Sequence, residues 1–409
     1  MIDSLSVTIC GLPHPIISEG TLLGLDRGGA RDWESLKRWT APGKAGQSLQ
    51  VRSVPGSRIG STHATALQIT GSPAKFLQGH NVFGCDDAPA LVRECALRIV
   101  AAWIAEHPGS ADDWQTFPAA LDVAIATRPA RTTQTRSGSD AAILDHAAPG
   151  VSIALIDVAY SLRVANIPAA ETWLRHAKLT ASAAYSRSVV DHGSTVYVGT
   201  KGGRAWRVKF YDKGSELRAK PPKPAKRGPS DPAYEHLPVL LAHASGLVRC
   251  ELSLRSRELR LLGLTALCDW DEETAATLWQ RYRERVNIPG QRRDALAGLA
   301  LSRALQSTAQ HWLAGADLAA QMSRATFFRH RRELLGFGLD IAKPAPRPDD
   351  AAPAPLRLDG FIEDELPAAQ SLGLLWMPAG VPASAPGASS LPAAASEATD
   401  ISTPPKCPA

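Results

Sequence analysis

The sequence predicts an α+β protein: an antiparallel sheet first, an all-helical region second, and a tail without a core last. Three observations carry this. Short runs of alternating apolar residues crowd the first 256 positions, apolar residues recur at helical spacing after Arg257, and from Ala342 the composition turns to Pro, Ala and Ser. A chain of 409 residues exceeds what one core usually covers, so the divisions expected are 1–256, 257–341 and 342–409.

Strand-like runs fall at Leu5 to Ile9, Leu49 to Val54, Ala64 to Thr70, Ala119 to Thr127, Thr195 to Val198, Ala205 to Asp212 and Leu247 to Leu254. Helical patterns cover Ala90 to Glu106 and Ile153 to Lys178, the latter broken at Pro168. The turn signal Lys201-Gly202-Gly203-Arg204 joins two β-favouring runs into a hairpin. Five basic residues among the prolines of RAKPPKPAKRGPSDP, from Arg218, require an exposed loop, and RPARTTQTRSGSD, from Arg128, is polar and aperiodic. The last 67 residues hold 13 of the 31 prolines and are expected to be disordered, the island LRLDGFIEDELPAAQSLGLLWMP being a sticky part of that linker or, with its apolar residues, a docking segment.

No basic start followed by an apolar block opens the sequence, and no apolar stretch of about 20 residues occurs, so a secreted or membrane-spanning protein is not expected. Six cysteines without a C-x-x-C pair argue for reduced thiols in a cytosol. The net charge of +5 hides an asymmetry: residues 1–342 carry 41 basic and 32 acidic side chains, against 4 and 8 in the tail. A basic body suits a polyanion.

In the run TVYVGTKGGRAWRVKFYDKGSEL, alternation places Tyr211 on a polar face with Lys209, and Lys213 follows on that side. Neighbouring cations favour phenolate and make a tyrosine a candidate nucleophile; the other reading is a tyrosine packed at a sheet rim. Asp122 in AALDVAIATR and Glu251 in GLVRCELSLR are each aimed by their strand at a face otherwise small or basic. Two such acids on adjacent strands form a magnesium or manganese site, or else pair with nearby arginines. Gly79-His80-Asn81 could hold a phosphate or metal; no His-hydrophobe-His pair occurs in the sequence. Ala316 to Ile341 has helix-turn-helix grammar, with Arg324, Arg329, Arg331 and Arg332 on the second helix, or it is a basic helix in a bundle.

MIDSL, SPAKFLQGHNVFG, the Asp122 segment, YDKGSEL and ASGLVRCELSLRSRELRLLGL occur in the order found in the replication initiators encoded by gene II of filamentous bacteriophages, and the chain resembles that family from Met1 to Leu264, less sharply to Ile341. The resemblance implies a rolling-circle initiator in the host cytoplasm that nicks one strand of origin duplex, leaves a 3′ hydroxyl and later rejoins the displaced single strand. Related plasmid initiators carry a nucleophilic tyrosine in a Tyr-x-Lys-x-x-Glu setting, which here is Tyr211, Lys213 and Glu216. By the same resemblance Asp122 and Glu251 hold the metal. Relatives can carry an acid where Gln68 stands, which leaves His80, Gln68 and Glu216 as candidates for a further metal or phosphate contact. Host helicase and polymerase are implied partners, with oligomers forming on DNA. A noncatalytic DNA-binding regulator and a nuclease using water as nucleophile remain alternatives.

Overall fold

In a computed structural model of the chain, the structure describes residues 1–55, 63–136, 139–180, 182–183, 189–191, 195–199, 205–224, 231–287, 301–313, 316–337, 339–343 and 369–378. Nine strands form one sheet: β1 (Ile2–Pro15), β2 (Trp39–Pro42), β3 (Ser48–Pro55), β4 (His63–Gly71), β5 (Gly150–Arg163), β6 (Val189–Asp191), β7 (Thr195–Gly199), β8 (Trp206–Asp212) and β9 (Leu247–Arg255). Their order is β6-β7-β8-β9-β5-β1-β4-β3-β2, with every neighbouring pair antiparallel. The helices are α1 (Pro73–Gln78), α2 (Ala88–Glu106), α3 (Phe117–Ala126), α4 (Ile167–Thr180), α5 (Lys213–Ala219), α6 (Leu237–Ala244), α7 (Ser256–Leu262), α8 (Thr274–Arg285), α9 (Arg303–Leu313), α10 (Leu318–Gln321) and α11 (Arg324–Gly336).

One face of the sheet is apolar. Val7, Ile9, Leu67, Ile153, Val158, Val208, Phe210, Cys250 and Leu252 are buried in one core with residues of α2, α3 and α4. Burying each such larger side chain contributes about 1.5–3 kcal/mol, which makes this layer the main source of stability. Leu259 of α7 and Leu278, Trp279 and Tyr282 of α8 join the same core, so these helices pack with the sheet. The helices α9 to α11 have a separate core of Leu305, Ala309, Trp312, Leu318, Leu334 and Ile341.

Six of the seven expected strands are present, and the runs flanking Lys201-Gly202-Gly203-Arg204 pair as β7 and β8; the turn itself lies outside the described residues. Ala119 to Thr127, expected as a strand, is helix α3. Pro118 stands in its first turn, four alanines favour helix, and Phe117, Leu121 and Ala124 bury one side at spacings of four and three. Ile153 to Arg163, expected as helix, belongs to β5, where β-branched Val151, Ile153, Ile156 and Val158 fit a pleated surface; the helix beyond begins only at Ile167. The aperiodic stretch after Arg128 contains a hairpin of Arg131–Arg136 with Ser139–Leu144. Most of the tail expected to be disordered, 344–368 and 379–409, lies outside the described residues, as do 225–230 of the basic proline loop.

Candidate active site

The other face of the sheet is polar, and Tyr211, Arg249, Glu251 and Ser253 on it are buried. Across it, register aligns Tyr197, Lys209, Glu251 and Ala159 in one row, with Thr195, Tyr211, Arg249 and Ser161 in the next. Because Cys250 and Leu252 point into the apolar core, Glu251 between them projects to this polar side. A further row holds Ser253, Asp157 and Ser4. Asp3 is the extra residue where the β1–β5 register shifts between Ile2↔Val158 and Ser4↔Asp157, and such a bulge re-aims a side chain.

Tyr211 ends β8 at a corner built by its own sequence. Asp212 caps α5, its side chain accepting hydrogen bonds from Gly214 N and Ser215 Oγ. Lys213 is the first residue of that helix and is fully buried, and Glu216 follows one turn on. Tyr211 Oη donates to Glu251 Oε1 at 2.5 Å. Lys209 Nζ contacts Glu251 Oε2 at 2.5 Å and lies 4.5 Å from the Tyr211 ring centroid; Lys213 Nζ lies 6.0 Å from it.

The block SPAKFLQGHNVFG forms the wall beside this corner. Ser72 caps α1 and Pro73 opens it. Gly79 closes it at φ +84°, where a Cβ would come within 2.8 Å of Ala45 Cβ, so only glycine fits. Asn81 then links two sides of the site: its Nδ2 donates to Asp3 Oδ1 at 2.6 Å and its Oδ1 accepts from Lys213 Nζ at 2.5 Å. Arg249 Nη2 donates to the carbonyls of Asn81 and Val82 at 2.7 and 2.8 Å.

Burial and the facing Glu251 push the Tyr211 phenol well above its usual range, so at neutral pH it is a neutral donor. Burial, then the Asp3 charge, raises the Glu251 carboxyl against the pull of Lys209. Burial, with Glu251 and Asp3, lifts Asp157 to about 6, and Asp157 Oδ1 is buried without a hydrogen-bond partner. Burial and the neighbouring Arg249 lower Lys213 to about 8. Burial alone would raise Glu216, but the Lys213 and Lys75 ammonium groups hold it at about 2.

Of the residues expected to act together, the structure unites Tyr211, Lys213, Glu216, Lys209 and Glu251. It does not bring Asp122 to them. Asp122 lies on α3, on the apolar side of the sheet, half-exposed and ion-paired with Arg93 Nε at 2.6 Å. Gln68 shares the polar face but stands three strands from Glu251 and in the row of Ser152, seven residues along β5 from the Ala159 that pairs Glu251, which puts it roughly 25 Å away at ordinary strand spacing and rise; it accepts from Arg52 Nε at 2.8 Å. His80 is buried, with Nδ1 accepting from Val82 N at 3.2 Å, and burial pushes it down to about 3, so it is neutral. Among the arginines of α11, Arg324, Arg329 and Arg332 are exposed, while Arg331 is half-buried and bound to Asp340 at 2.6 and 3.0 Å. Asp3 and Asp157 were not expected. Each stands in an Ile-Asp pair within an apolar strand, and that was the available signal.

Among the described residues, no three His, Cys, Asp or Glu side chains are grouped closely enough to hold a metal ion, and no helix is long and apolar enough to cross a membrane. Residues 1–273 match the family model for the N-terminal part of the phage gene II replication-associated protein, and residues 298–356 match the model for its C-terminal part. The chain belongs to this replication-associated protein family. It is 28% identical over 358 residues to the replication-associated protein of Enterobacteria phage I2-2, an alignment covering 87% of this chain and 92% of that protein. The whole polar face of this replication-associated protein, from Asp3 to Glu251, falls inside the N-terminal match, and α9 to α11 fall inside the C-terminal one.

Proposed function

We propose that this replication-associated protein initiates phage rolling-circle replication by nicking one strand of origin duplex with Tyr211 and later rejoining the displaced strand. The observation that carries the reading is the Tyr211 Oη–Glu251 Oε1 hydrogen bond of 2.5 Å, a nucleophile already paired with its base. As Tyr211 Oη attacks phosphorus, its proton passes to Glu251, whose raised carboxyl suits it to accept one. The Oη–P bond forms, the P–O3′ bond breaks, and the 3′ oxygen leaves to become the primer hydroxyl on taking a proton from solvent. Lys209 holds the second Glu251 oxygen and Lys213 adds positive charge beside the ring. The phosphotyrosine keeps the bond energy, so rejoining runs the same steps backwards without ATP.

Oxygen donors alone, and an orphaned carboxylate oxygen on Asp157, suit a hard cation. Asp157, in place of the expected Asp122, would hold magnesium or manganese, an ion that takes one or two carboxylates and fills its remaining positions with water and substrate phosphate, while Glu251, expected as a ligand, has its two oxygens engaged by Tyr211 and Lys209 and serves as the proton acceptor. Such an ion supplies charge neutralisation at a nonbridging phosphate oxygen. In the C-terminal unit, α10 and α11 form a helix-turn-helix in which Arg324, Arg329 and Arg332 contact origin DNA, with Arg331 reserved for Asp340. Work of this kind belongs in the host cytoplasm alongside a host helicase and polymerase.

The test is supercoiled origin plasmid incubated with magnesium and either wild type or Tyr211→Phe. Transesterification requires nicking by the first and none by the second. Nicking by both indicates a hydrolytic nuclease, and binding without nicking by either indicates a noncatalytic regulator.

A further inference from the structure

We infer that residues 369–377 are a positioning strap for the catalytic wall, an inference that rests on the nicking activity proposed above only for its kinetic consequence. The segment belongs to the apolar island of the tail and lies beyond both family matches. One helical turn at 369–371 is followed by Gly373 at φ +68°, which folds Leu374 back so that its N–H donates to Ala369 O at 2.8 Å. Ala369, Leu374 and Leu375 are thereby buried in a groove lined by Val82, Phe83, Leu217, Leu240 and Ala244. Leu217 belongs to the helix that begins with Lys213, and Val82 and Phe83 adjoin Asn81.

A hydrogen-bond relay runs from the strap to the site. Trp376 N donates to Gln78 Oε1 at 2.9 Å. Gln78 is buried, and its Nε2 donates to His80 O at 3.3 Å and Phe83 O at 2.9 Å. With an N–H at one end and two carbonyls at the other, only this amide orientation satisfies the group, and the strap supplies the donor that its buried oxygen needs. Gln78 in turn clamps both ends of the turn carrying Asn81, and Asn81 binds Asp3 and Lys213 on the polar face. Removing the strap leaves a buried acceptor without its donor and opens the apolar wall behind Asn81. A displacement of about 1 Å in such a wall costs up to roughly a hundredfold in rate.

The experiment uses the full chain carrying Leu374→Asp with Leu375→Asp, and separately Gln78→Glu, which keeps the acceptor for Trp376 but loses both donors. Amide exchange at residues 79–83, origin-duplex affinity and single-turnover nicking are read for each. The strap requires exchange at 79–83 to quicken about tenfold or more in both variants. It also requires duplex affinity within about twofold of wild type, nicking slower by about tenfold to a hundredfold, and recovery of the double variant when a peptide of residues 367–379 is added. Unchanged exchange at 79–83, or faster exchange with an unchanged nicking rate, overturns it. If the double variant fails to fold, Trp376→Pro, which removes the N–H donated to Gln78, decides by the same two criteria. Should wild type itself not nick, the proposed function falls, and the exchange result alone decides whether the strap orders the wall.

Discussion

The two faces of β9 are both buried, as are Phe210 and Tyr211 on the two faces of β8, and they do opposite things. Phe210 and Leu252 on one face are fully buried, and on the other Glu251 is 4% and Tyr211 7% exposed. The first face gains free energy from leaving water; on the second, desolvated charges cost about as much as their pairing returns, so that face adds little stability. Keeping Tyr211, Arg249 and Glu251 out of water is therefore useful for chemistry, where low dielectric strengthens every charge that acts on a phosphate.

That contrast can be broken by mutation, and the largest effect belongs to the polar face. Tyr211→Phe is expected to lower single-turnover nicking by roughly a thousandfold or more while the far-ultraviolet spectrum stays native. Glu251→Gln removes the proton acceptor and lowers the same rate by roughly 10²–10⁴-fold. On the apolar face the signature reverses. Phe210→Ala is expected to cost about 3–5 kcal/mol in denaturant unfolding, with the rate per folded molecule changed by less than about threefold.

A smaller effect sharpens the comparison through pH. Lys213 is held at about 8, below the 10.5 of an unfolded lysine, by burial and Arg249. Between those values the unfolded chain binds a proton that the native one does not, so this group's contribution to stability rises with pH across that window. Nicking that relies on its positive charge falls above pH 8. Lys213→Met should abolish both trends, visible as the difference between wild-type and variant unfolding and rate profiles from pH 7 to 10. The smallest effect is expected at Asp122: Asp122→Asn breaks only an exposed ion pair, costs less than about 1 kcal/mol and leaves nicking unchanged. Loss of nicking in that variant would restore Asp122 to the site and contradict the geometry.

What was legible in the sequence was whatever sat in a short, regular piece of chain. Tyr211 and Lys213 were legible from strand alternation and Glu216 through the resemblance, all three within six residues at a strand-to-helix corner, and Glu251 follows from strict alternation in β9. The apolar island of the tail was legible only as a segment able to dock or as a sticky part of a linker, and the structure decides for docking at Ala369, Leu374 and Leu375. Asp122 misled because Leu121, Val123 and Ile125 satisfy a period of two, while alanine content and Pro118 favour helix, and the structure leaves Val123 54% exposed. Asp3 was hidden because a bulge, which no local pattern announces, turns its side chain, and Asp157 because its strand was read as helix. Arg331 looks like its neighbours in sequence; its commitment to Asp340 nine residues on depends on how the chain folds back after α11.

The central claim is that the phenol of Tyr211 becomes the covalent link to DNA. Wild-type protein reacted with magnesium and supercoiled origin plasmid, denatured, and digested with nuclease and protease, should yield one nucleotide-bearing peptide with the adduct mapped by mass spectrometry to Tyr211. An adduct on Tyr197, two rungs away on the neighbouring strand, or nicked DNA with no adduct at all, would contradict it.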